Sequence, residues 1–207
     1  MLEEVMHLEQ STVKIKCGSK NIYIDPFNIK DEPHDADHIF VTHPHHDHLS
    51  VRDMIKIKKK DTTLIIPFSC AKQAEDSGIK KVIEVEPNKE YIIDEFLFKT
   101  VPAYNLDKTF HVKESNWVGY IISANDKTYY HSGDTDFIPE MKTLRVNIAF
   151  IPIGGTYTMN AEEAAEAVNT FKPQIAVPIH YGGIVGKKSD ADNFVKLIKN
   201  QITGLII

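Results

Sequence analysis

The chain has 207 residues, of which 42% are hydrophobic and 26% charged, with a net charge of −5; this is the balance of one ordinary folded domain. An acidic balance disfavours a protein that works through a wide basic face on nucleic acid or anionic lipid. Two cysteines, Cys17 and Cys70, are too few for a disulfide framework and fit a reducing, cytoplasmic location.

The N-terminal segment lacks the basic-then-apolar order of a signal peptide, and the longest apolar run, 148–153, is too short to span a bilayer. In chain order, segments 12–17 and 21–25 alternate apolar and polar residues, and Gly18-Ser19 between them predicts a hairpin. Residues 39–42 predict a buried strand. Ser50 and Asp53 have capping-box spacing, so a helix is predicted just after Ser50. A strand at 64–67, a helix at 71–76 ending at Gly78 and a strand at 81–85 follow. Segments 91–94 and 96–101 predict a second hairpin, which opens a second half.

In that half, 117–123 and 127–131 pair across the turn-forming dipeptide Asn125-Asp126. Pro139 suits the first turn of a short helix through Leu144. The apolar strand 147–153 runs into Gly154-Gly155, and Asn160 caps a helix with Glu163 in its first turn. Ala161, Ala164, Ala165 and Val168 give that helix a small apolar face. Strand 175–179 leads to His180, Ser189 opens a last helix, and Gly204 precedes a final apolar stretch. The halves echo one another, hairpin strands first and strand–helix alternation after. Such an order predicts an α/β sandwich, two mixed sheets with helices on the outer faces, formed by a single domain over 1–207.

Histidine is the unusual residue: there are 10, and four fall in His43-Pro44-His45-His46-Asp47-His48. The run is internal, lies between an apolar strand and a capped helix, and contains an aspartate, which sets it apart from a tag remnant or a surface loop. His43 and His45 are two apart, so in extended backbone they point to the same side, and Pro44 stiffens the link. Asp47 and His48 come at the bend into the helix. Imidazole and carboxylate donors suit zinc, iron or manganese, and the lack of thiolate argues against a cysteine-type structural zinc site.

The run His-x-His-x-Asp-His after a buried strand resembles the hallmark of the metallo-β-lactamase superfamily. Val101-Pro102-Ala103-Tyr104-Asn105, Tyr130-His131-Ser132-Gly133-Asp134-Thr135, the segment Pro152 to Met159 and Pro178-Ile179-His180-Tyr181-Gly182 extend the likeness over almost the whole chain. They are most similar to a small, stand-alone branch that includes ascorbate-6-phosphate lactonase-like proteins. The resemblance implies an αββα sandwich and a two-metal hydrolase, with zinc as the foremost metal and manganese or iron as alternatives. It implies that His43, His45 and His111 hold one metal, that Asp47, His48 and His180 hold the other, and that Asp134 bridges them. A hydroxide shared by the two metals is then the nucleophile, oriented by Asp47, and no Gly-x-Ser-x-Gly is needed. Asp25 is placed to fix the tautomer of a ligand histidine, His131 to act as a positioning partner or as proton donor to the leaving group, and His46 fills a variable position.

The expected substrate is a small ester, lactone or phosphoester. Tyr104, Asn105, Tyr157 and Tyr181 are candidate pocket walls, and Lys187-Lys188, ending a glycine-bearing loop, suits an anionic group. A nuclease-type phosphodiesterase is disfavoured by the acidic charge and the lack of an RNA-clamping domain. A di-iron redox protein is disfavoured because no glutamate replaces His45 and no flavin domain follows. A metal-binding sensor without catalysis is disfavoured by seven intact ligands. The expected partner is a small molecule, not nucleic acid or membrane, and association with further copies of the chain is allowed.

Overall fold

In the computed structural model, which describes residues 2–207, the chain divides into two units, one ending at Glu86 and one running from Pro87 to Ile207. The first opens on β1 (Val5–Glu9), β2 (Thr12–Cys17) and β3 (Lys20–Ile24), antiparallel neighbours in that order. Val13 faces Ile24 and Ile15 faces Ile22 across the β2–β3 pair, and all four are fully buried. The period-two pattern therefore fixes the register, since a one-residue slip would expose the whole set. β1 is a strand the sequence pattern did not reveal. Its alternation is broken by a register shift between His7 and Glu9.

β4 (Ala36–Phe40), α1 (Val51–Ile57), β5 (Lys58–Pro67), α2 (Ala71–Ala74) and β6 (Lys81–Val85) complete this unit. From β3 onward the strands are parallel, giving the sheet order β1-β2-β3-β4-β5-β6. α1 buries Met54 and Ile57 with Tyr23, Ile39 and Leu64. Ser50 caps it as expected, its hydroxyl accepting from the Asp53 amide. β5 starts six residues before the predicted strand. The register jumps from Ala36–Lys58 to His38–Thr63, so a charged stretch that reads as loop is looped out of the ladder. α2 is shorter than predicted and passes through a 3₁₀ turn, Glu75–Ser77, to a left-handed Gly78.

The second unit repeats the plan. β7 (Glu90–Ile93), β8 (Phe96–Pro102), β9 (Val118–Ala124) and β10 (Lys127–His131) form an antiparallel meander. β11 (Ile148–Pro152), α3 (Ala161–Phe171), β12 (Ile175–Ile179), α4 (Lys188–Leu197) and β13 (Thr203–Gly204) follow, the strands parallel from β10 onward. Asn125 and Asp126 both take positive φ, 51° and 57°, the conformation a two-residue hairpin turn demands. The short helix predicted from Pro139 is found as a 3₁₀ helix, Pro139–Thr143. α3 carries the full Asn160–Glu163 capping box and lays Ala164, Ala165 and Val168 into a core with Ala149, Ile151 and Ala176. α4 starts one residue before Ser189, because the Asp190 carboxylate accepts from the Lys187 amide at 2.7 Å and makes Lys187 the cap. Among the described residues no helix is long and apolar enough to cross a membrane.

Each sheet thus collects loops at one edge. β3 and β4 run the same way, so the loops after them leave together. β8, β10, β11 and β12 share one direction as well, because β8 and β10 are both antiparallel to β9. The carboxyl ends of parallel strands are where open α/β sheets place their chemistry. Every predicted ligand lies in one of these loops.

Candidate metal centre

In the first unit, Asp25 follows β3 and residues 42–48 follow β4. The Asp25 carboxylate is fully buried and accepts from the Thr42 amide at 2.8 Å, the Thr42 hydroxyl at 2.7 Å and His48 Nδ1 at 2.7 Å. The Thr42 hydroxyl has one hydrogen, given to Asp25, so its 2.9 Å contact with His43 Nδ1 makes the imidazole the donor. One carboxylate therefore sets both His43 and His48 to carry their proton on Nδ1. Their Nε2 lone pairs are left to face a cation, as ligand histidines are usually arranged.

His43 Nε2 lies 3.0 Å from His45 Nδ1. Two donors on one tetrahedral zinc at about 2.05 Å are about 3.3 Å apart, so this pair fits a shared ion. His48 Nε2 is 3.7 Å from Asp47 Oδ2. Gln10 donates to the same Asp47 oxygen at 3.1 Å. Gln10 is itself buried, has a positive φ of 52°, and its carbonyl contacts the His7 ring at 2.8 Å. No local pattern marks Gln10, because its partner lies 37 residues away. His46 is the exposed member of the run, its ring edge-on to Phe27.

In the second unit, Asp134 follows β10 and a left-handed Gly133, φ 63°. Its Oδ2 lies 3.3 Å from His111 Nε2 and 3.2 Å from His180 Nε2. One carboxylate oxygen between two imidazole nitrogens is the arrangement expected of a bridging ligand. His131, fully buried, accepts from the Gly133 amide through Nδ1 at 3.2 Å and so shapes the turn that presents Asp134. Gly119 is required on the neighbouring strand, since a Cβ there would lie 2.7 Å from the carbonyl oxygens of His131 and Ser132.

Asp25, His111 and His180 all occupy left-handed backbone, with φ of 48°, 56° and 56°. Such residues cost on the order of 1 kcal/mol each and persist where the surroundings enforce them, often at functional sites. His180 packs directly over Gly154, where a Cβ would sit 2.6 Å from the His180 carbonyl oxygen and 3.1 Å from its Nδ1, so only glycine leaves it room. His111 is bonded to Asn105, whose amide nitrogen donates to the His111 carbonyl at 2.8 Å. The Asn105 side chain donates to the carbonyls of Phe110 and Tyr157 at 2.9 and 2.7 Å. The indole of Trp117 lies edge-on to His111, ring centres 5.4 Å apart.

Of the expected pocket-wall residues, Asn105 lies beside His111, and Tyr157 lies against Asn105 and Phe110. Tyr104 is buried, and its hydroxyl donates to Glu140 at 3.0 Å while accepting from Lys113. Tyr181 packs against the second unit's core, where burial raises its phenol above the ordinary range. Lys187 serves as the cap of α4. The donors in each unit are of the type a divalent ion takes: imidazole nitrogens and carboxylate oxygens, with the tautomers of His43 and His48 fixed.

Comparison with known proteins agrees with this chemistry. Residues 4–180 match the family described as beta-lactamase superfamily domain. A UPF0173 metal-dependent hydrolase of Lysinibacillus sphaericus is 32% identical, over 96% of this chain and 93% of its own. The crystal structure of a protein proposed as a metal-dependent hydrolase in Parabacteroides distasonis superposes with a TM-score of 0.83 at 28% identity, covering 98% of this chain and 91% of that one. The di-iron β-hydroxylase CmlA of Streptomyces venezuelae shares the fold at 15% identity, with a TM-score of 0.80 over 98% of this chain and 52% of that one. The predicted α/β sandwich class, two mixed sheets with helices, is the class found. The chain belongs to the metallo-β-lactamase superfamily and is, within it, a metal-dependent hydrolase akin to the UPF0173 proteins.

Proposed function

We propose that the chain hydrolyses a small ester, lactone or phosphoester at a binuclear centre, with zinc as the foremost metal. His43, His45 and His111 are assigned to one ion, Asp47, His48 and His180 to the other, and Asp134 to both. The observation that carries this reading is Asp134 Oδ2, held between His111 and His180 at 3.3 and 3.2 Å. When bound, the ions supply a water acidified toward neutral pH and an electrophile for the carbonyl or phosphoryl oxygen.

The protein's own groups do the rest. Asp25 and Thr42 hold His43 and His48 with their protons on Nδ1, which keeps each Nε2 lone pair for its ion. Gln10 fixes Asp47 through Oδ2, and Asp47 Oδ1 is assigned to orient the attacking water. Hydrolysis adds the hydroxyl of that water to the acyl carbon or phosphorus, and its other proton goes to the departing oxygen as the ester bond breaks. Of the two roles expected for His131, positioning is favoured by its hydrogen bond to the Gly133 amide. A cytoplasmic setting suits the two cysteines, both reduced and buried. The di-iron oxidative chemistry of a fold relative is disfavoured by the donor set of five imidazoles and two carboxylates. A coloured, oxygen-consuming protein would reinstate it.

The test is chelator-stripped protein reloaded with zinc, manganese or iron and assayed on lactones, carboxylic esters and phosphodiesters. Reloading should restore turnover, and Asp134→Ala and His48→Ala should each lower it about a hundredfold or more. Full turnover by the stripped protein, or by either variant, contradicts the assignment.

A further inference from the structure

The loop that delivers His111 keeps large apolar side chains in water: Leu106, Phe110 and Val112 are 54%, 48% and 43% exposed. The Phe110 ring meets Tyr157 edge-to-face, ring centres 4.8 Å apart. Asn105 holds the carbonyls of both residues through one amide group and the His111 carbonyl through its backbone. The aromatic pair is thus fixed to the same clamp as the candidate ligand. The loop's two lysines are engaged, Lys108 by Asp136 and Lys113 by Glu140, so the cations nearest the aromatic pair are taken up by carboxylates of this chain. Single surface apolar residues need no explanation, but an ordered pair tied to a ligand, with apolar neighbours on either side, does.

We propose that Phe110 and Tyr157 grip an aryl or long alkyl group of the substrate, so that an apolar lactone or carboxylic ester is preferred to a small phosphorylated sugar. This rests on the hydrolase reading above. The catalytic arm of the test compares γ-nonalactone with γ-butyrolactone on the zinc-loaded enzyme. Wild type should favour the alkyl-bearing lactone in kcat/KM, and Phe110→Ala or Tyr157→Ala should cut that ratio about tenfold or more, through KM. Phe110→Leu should recover part of it. A ratio unchanged by both alanine substitutions overturns the proposal.

The binding arm follows heptanoate and acetate by the emission of Trp117, the single tryptophan, which lies against His111. Heptanoate should bind the zinc-loaded wild type more tightly, and the alanine variants should lose that preference. Equal affinity for the two acids in wild type overturns the aromatic edge. Absence of all turnover by wild type counts instead against the hydrolase reading, and the binding arm still decides the edge. Phe110 is exposed, so its substitution should leave the melting temperature in place.

Discussion

Asp25 shows how much one side chain can organise. It ends β3 in left-handed backbone and takes hydrogen bonds from Thr42 twice and from His48. Through the Thr42 hydroxyl it also settles the proton on His43. Asparagine tolerates left-handed backbone nearly as well, but it lacks the charge and cannot accept on both arms. Asp25→Asn should therefore fold and bind zinc about 10–100-fold more weakly, as read by competition with a chromogenic chelator. Unchanged affinity would show that the network serves packing alone. At this scale the site was partly legible. The run His43–His48 announces itself because its donors are neighbours in sequence, and Asp25 stands out before Pro26. Gln10 and the Asn105 clamp could not be read, because each acts on a partner brought near only by the fold.

At the scale of elements, α1 depends on Asp53 for more than a cap. The buried carboxylate accepts from the Ser50 hydroxyl at 2.7 Å, the Asn28 and Ile29 amides at 2.9 and 3.0 Å, and Lys56 at 3.0 Å. Burial opposes its charge, but these hydrogen bonds and the Lys56 ammonium outweigh it and hold the carboxyl below its ordinary range. A depressed carboxylate lends stability above its unfolded pKa, near 3.9, and that stability is lost as pH falls through the folded value. Asp53→Asn should cost about 2 kcal/mol at pH 7 in denaturant unfolding, with the deficit shrinking in acid. A deficit independent of pH would contradict the charge-based account. β2, with its apolar–polar alternation, and β12, a short apolar run, were legible to the residue. β1 and the looped-out start of β5 were not, because broken alternation leaves no periodic trace.

Over the whole molecule, the two units follow one plan, an antiparallel meander that turns into a parallel sheet. Each delivers histidines and a carboxylate from loops at the carboxyl ends of its strands. The family match runs across both, from residue 4 to residue 180. The echo between halves was visible in the order of predicted elements. The left-handed backbone at His111, bonded to Asn105 across its own loop, and at His180, packed over Gly154 in another loop, by contrast needed coordinates. The central claim is a two-ion centre whose shared ligand is Asp134. It is tested most directly by the zinc stoichiometry of the metal-free chain in titration calorimetry, wild type beside Asp134→Ala. Two equivalents per chain in wild type and fewer in the variant are predicted. A single equivalent in wild type, or two undiminished equivalents in Asp134→Ala, would contradict it.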